Sequence, residues 1–115
     1  MEKGRAVAAE LLVAATDDAA VIVRRLTAFS DRLEFWLAIR LAERTGGIQD
    51  ARLRVELPDG RSQPLREPYG ADSDEYFLDE RTVHARVDGI VTFVLDWPSR
   101  GIADARTSIT VTASS

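Results

Sequence analysis

The stretch SDRLEFWLAIRLAERTGG, residues 30–47, decides the fold because it satisfies two incompatible patterns. Read as a helix, it has Asp31 as an N-cap, Glu34 three positions on, a run of good helix formers, and Gly46 and Gly47 at the end. Read as a strand, it has Leu33, Phe35, Leu37, Ile39 and Leu41 at every second position. The strand template is met at all five places. The helix template gathers Leu33, Trp36, Leu37 and Leu41 but leaves Phe35 and Ile39 on the opposite side. A helix apolar all round needs burial on every face, and little else in 115 residues would supply it. Helix propensity is a weak prior that tertiary context overrides. The stretch reads as a strand. Glu34, Trp36, Ala38, Arg40 and Ala42 then face away from the core.

The rest of the chain agrees with sheet. Turn signals recur about every dozen residues: Asp17-Asp18, Ser30-Asp31, Gly46-Gly47, Pro58-Asp59-Gly60, residues 68–74, Asp88-Gly89 and residues 98–101. Between them lie runs rich in Val, Ile, Leu and Phe, the spacing of an all-β sandwich or barrel. In RLRVELPDGRS, Leu53, Val55 and Leu57 alternate with Arg52, Arg54 and Glu56. Proline then presets φ and glycine accepts a positive φ, which makes a turn at Pro58-Asp59-Gly60. IVTFVLDW puts Val91, Phe93, Leu95 and Trp97 on one side, so Trp97 is expected in the core. TSITVTA is β-branched, with Ile109, Val111 and Ala113 facing one way. AAVIVRRLTAF supplies Val21 and Val23, of open register, and the alanine-rich N-terminal run is expected as a strand over residues 10–16. The expectation is one all-β domain, an immunoglobulin-like β-sandwich of seven or eight mostly antiparallel strands.

Composition narrows the chemistry. A chain of 115 residues and 12.7 kDa has the common size of one domain. It contains no cysteine, which excludes disulfides, thiolate metal sites and cysteine nucleophiles. It contains no asparagine and therefore no N-glycosylation acceptor. Lys3 and Arg5 precede an apolar run as in a signal peptide, but Glu10 interrupts that run, so it reads as mature structure. A cytoplasmic protein is the expectation. Net charge is −4 with both signs interspersed, which offers no case for nucleic acid or an anionic membrane. Every basic residue except Lys3 is an arginine, a bias of the kind high-GC coding produces rather than a binding surface.

The chain resembles a family of small uncharacterised all-β proteins from high-GC bacterial genomes. ATDDAAVIVRRLTAFSDRLEFWLAIRL, residues 15–41, is similar to that family's Asp-Asp turn, valine-rich strand, aromatic, short turn and Glu-Phe strand ending in Arg-Leu. RVELPDGR resembles its strand leading into a Gly-Arg turn, DEYFLDER its Glu-Tyr-Trp segment, and DWPSRGIADAR its Trp-Pro followed by Gly-Ile. Arg32 stands where a small turn residue is usual, and DERTVHARVDG lacks the family's proline-rich turn. The resemblance implies strand over helix at residues 33–41. It carries no activity.

No motif of catalysis or cofactor binding stands out. His84 has no partner nucleophile, no G-x-S-x-G elbow is present, and a lone imidazole does not complete a zinc site. It is expected on the polar face of a strand beside Thr82 and Arg86. Asp72, Asp74 and Glu75 concentrate carboxylates in residues 68–75, without the D-x-[DN]-x-[DN]-G pattern of a calcium loop. Gly46-Gly47 opens no phosphate cradle. The candidate interaction residues are Trp36, Arg40 and Glu34, because aromatics and arginine are enriched at protein interfaces. The competing expectation is that Trp36 only closes the sandwich against Tyr69 or Tyr76. The expected function is non-catalytic binding or assembly through a sheet face or edge, with a protein partner or a second copy as in a homodimer. The alternative is a small ligand, weak calcium binding or an enzyme using residues 68–75.

Overall fold

Residues Leu33–Leu41 form a strand in the computed structural model, which describes residues 3–41, 51–65 and 76–113, with the backbone alone over 76–79. This strand is β3. Before it come β1 (Arg5–Ala15) and β2 (Ala19–Ala28). After it come β4 (Arg52–Glu56), β5 (Ser62–Leu65), β6 (Tyr76–Val83), β7 (Gly89–Trp97) and β8 (Ile102–Val111). A single 3₁₀ turn, Pro98–Arg100, links the last two.

Two antiparallel sheets hold these strands, in the orders β1-β2-β3-β6 and β5-β4-β7-β8. β4 leaves the first sheet for the second, β6 returns beside β3, and β7 crosses again to lie beside β4. With β2 as A, β3 as B, β4 as C, β5 as C′, β6 as E, β7 as F and β8 as G, this is the order of an immunoglobulin-like sandwich. β1 adds one more strand outside A.

The core lies between the sheets and is made by alternation. Leu33, Phe35, Leu37, Ile39 and Leu41 of β3 are buried against Leu53, Val55, Val91, Phe93, Leu95 and Trp97 of the opposite sheet. The rings of Phe35 and Phe93 meet edge to face across the gap, with centroids 5.5 Å apart at 84°. That arrangement sets the positive rim of one ring on the negative face of the other. Trp97 is fully buried, as its alternation requires.

β2 shows why its register resisted the sequence. Val21 and Val23 face the core, and so do Leu26 and Ala28, on the other parity. A bulge between Arg24 and Thr27 makes the switch, with Arg25 at φ 52°. β1 begins five residues earlier than the expected residue 10. Alanine has little β preference of its own, but pairing with β2 runs from Arg5 to Ala15 and supplies the ladder. The expected turn after Leu57 is present: its N–H donates to the Arg61 carbonyl at 2.8 Å, and Gly60 sits at φ 92°. The Arg61 backbone N–H donates to Asp59, and this bond is the leading reason the Asp59 pKa is lowered.

At one end, Arg100 ties the two sheets together. Its guanidinium, with the side chain only 7% exposed, lies 5.5 Å from the Trp97 ring centroid and donates to Asp18 in the β1–β2 turn at 2.6 Å.

Candidate interaction face

Each sheet has one face in the core and one outside, and the two outer faces differ in chemistry. On the second sheet, Arg54 approaches Glu56, Asp96 and Asp104 at 3.4–3.6 Å, and Arg106 bridges Glu56 and Asp104 at 2.7 and 3.1 Å. The Asp104 N–H also donates to Asp96. Hydrogen bonding from Arg106 is the leading cause of a lowered Asp104 pKa. Val94, paired in register with Arg54 and Arg106, is buried even though it lies outside the core cluster. The aliphatic stems of such arginines cover apolar surface while their heads stay in water. This face satisfies its own charges.

On the first sheet, the strand registers lay out four rows across β1, β2, β3 and β6. Thr27, Glu34 and Thr82 share one row. Glu10, Arg24, Trp36 and Glu80 share the next. Leu12, Ile22, Ala38 and Leu78 make the third, and Ala15, Ala20, Arg40 and Tyr76 the fourth. Ile22 and Ala38 are buried without belonging to the core cluster, so they form an apolar floor on the outside of the sheet. Leu12, at the β1 end of the same row, is 54% exposed. Trp36 stands half-buried beside that row.

The three sequence candidates thus share this face but differ in availability. Glu34 is held by Arg32 Nε at 2.6 Å, and Arg32 in turn lies over the Phe29 ring at 3.9 Å. Hydrogen bonding to Glu34 is the first cause of a raised Arg32 pKa. Glu34 is therefore a member of a local cluster. Trp36 and Arg40 flank Ala38, one row to each side, and Arg40 is exposed. Arg40 also borders an open cleft of about 240 Å³, walled by the Thr16–Ala19 turn and floored by Ala20, Ile22 and Leu41.

Leu12, Ile22, Arg24 and Ala20 escaped the sequence reading. Three consecutive β-branched residues at 21–23 carry no alternation to say which one points outward, and the bulges in β1 and β2 break the parity further. His84 is exposed and lies just past the end of β6, not on its polar face. The Ala85 N–H turns back to the Val83 carbonyl, which ends the pairing. Residues 68–75, with Asp72, Asp74 and Glu75, and Tyr69 and Ala42, lie outside the described residues. Among the described residues no cluster of three His, Asp or Glu side chains is placed to hold a metal ion. Among them, too, no helix is long and apolar enough to cross a membrane.

No family model, curated protein or solved structure matches this chain.

Proposed function

We propose that this chain is a non-catalytic assembly module that associates with a second copy of itself through the outer face of its first sheet. The observation that carries the reading is the contrast between the two outer faces. One covers its central Val94 with a network of arginines and carboxylates and leaves Ile90 exposed at its end, at 60%. The other presents the exposed Leu12 and the half-buried Trp36 in adjoining rows, beside the buried Ile22 and Ala38, with Arg24 next to Trp36 on β2 and Glu10, Glu80 and Arg40 around them. Large aromatics with arginine nearby, on a surface low in charge at its centre, are the composition of interface cores.

The area bounds the strength. Four strands about 4.8 Å apart and about 30 Å long give a face on the order of 600 Å². Two copies would bury about 1,200 Å², the lower end of specific interfaces. The dimer is thus expected to form progressively with concentration. Light scattering on a sizing column across a concentration series tests this. The wild type should approach twice 12.7 kDa, and Trp36→Ala should stay at monomer mass with an unchanged β circular dichroism spectrum. A wild type that stays monomeric throughout, or a Trp36→Ala variant that dimerises equally well, removes the reading.

A further inference from the structure

Resting on that self-association, we infer that the two copies pack about a two-fold axis along the row of Leu12, Ile22 and Ala38, so that Trp36 of each seats over the cleft beside Arg40 of the other. In an isologous contact, residue i meets j and j meets i. An axis along this row exchanges the rows on either side of it and leaves every strand facing its own copy. Trp36 and Arg40 both lie on β3, two residues to either side of Ala38. Each is therefore about 7 Å from the axis, and each falls opposite the other.

Two features of the face fit this arrangement. The first is shape. The half-buried Trp36 stands on one side of the row, and the open cleft of about 240 Å³ lies on the other, with Arg40 at its rim. An aromatic anchor in a pocket is the common form of an interface hot spot, and an arginine against its ring adds a cation–π attraction. The second is charge. The row of Glu10, Arg24, Trp36 and Glu80 is net acidic, and the row on the other side of the axis carries Arg40, whose cleft is also walled by Asp17 and by Asp18, the latter paired with Arg100. The axis lays each row on the other. An axis parallel to the strands, between β2 and β3, would instead set Glu10 against Glu80 of the second copy, like charge on like.

The absence of cysteine from the chain makes the geometry directly testable. Leu12 is exposed and sits on the proposed axis, so Leu12→Cys of one copy faces Leu12→Cys of the other. Facing sheets stand about 10 Å apart, which a short bis-maleimide spans. Leu12→Cys should cross-link to a dimer, and Ser108→Cys, exposed on the other sheet, should not. Arg40→Glu, a change at an exposed position outside the core cluster, should weaken dimerisation at least tenfold. A wild-type dimer whose Leu12→Cys variant does not cross-link, or whose Arg40→Glu variant dimerises normally, overturns this arrangement and leaves the self-association reading standing. A monomeric wild type removes both.

Discussion

Phe35 and Trp36 are neighbours in sequence and should behave oppositely when truncated, which tests the strand at its decisive point. Phe35 is 1% exposed and stacks edge-on against Phe93. Removing it forfeits about 1.5–3 kcal/mol of apolar transfer. The edge-to-face pair adds about 0.5–1.5 kcal/mol, and the unfilled cavity brings Phe35→Ala into the range of about 3–5 kcal/mol. Trp36 is half-buried on the outer face and lies outside the core cluster, so Trp36→Ala should cost about 1 kcal/mol, the centre of the range for point substitutions. A domain of this length has a stability of about 6–17 kcal/mol. With a urea slope of about 1–2 kcal/mol/M, Phe35→Ala moves the midpoint down by about 1.5–5 M, and Trp36→Ala by about 0.5–1 M. Urea titration followed by circular dichroism reads both shifts. It should be run dilute enough that every variant is monomeric, because dimerisation would add its own stability. If Trp36→Ala proves the more damaging of the two, residues 33–41 do not alternate between core and surface as a strand, and the sandwich is wrong.

Three further outcomes follow from local physics. Asp18 has its pKa lowered, first by the Thr16 hydroxyl and then by Arg100. Its stabilising contribution is therefore complete above the unfolded carboxylate value near pH 4 and lost as pH falls through the lower folded value. Asp18→Asn should be less stable than wild type at pH 7, with the gap closing below about pH 4 in thermal melts. Gly60 has φ 92° and nothing within 4 Å of an added Cβ, so Gly60→Ala should cost about 1–2 kcal/mol by backbone strain alone, read by urea midpoint. Arg106→Ala breaks an exposed network and should change stability by less than about 1 kcal/mol at low salt and less still in molar salt. Its dimerisation by light scattering should be unchanged.

How much of this was legible depended on whether a strand keeps its parity. β3, β4 and β7 do, and their inward residues, Trp97 included, were readable from alternation alone. β2 does not, because a backbone bulge is set by local geometry at Arg25 and leaves no periodic trace. β1 was legible only in part, because alanines become a strand through a partner. The candidate face shows the same division. Trp36 and Arg40 followed from the alternation of β3. Leu12 and Ile22 required the cross-strand register, which depends on which strands become neighbours.

The same register explains why the proposed assembly is assigned to a face rather than an edge. A free edge invites pairing unless it is short, charged, bulged or interrupted by proline, and each edge here carries one of these devices. β5 has four residues and includes Pro64. β6 carries Glu80 and Arg81. β8 is bulged at Asp104, which has φ 49°. β1 is the longest edge, but two bulges interrupt it, and the Thr107 hydroxyl reaches across from β8 to donate to the Val13 carbonyl at 3.0 Å, next to one of them. That bond occupies a carbonyl an incoming strand would need and pins β1 to the opposite sheet. With the edges obstructed and the centre of the second sheet's outer face covered by ion pairs, Ile90 is the large apolar side chain left exposed there among the described residues, and the proposed assembly falls to the face where Leu12, Trp36 and an open cleft lie together.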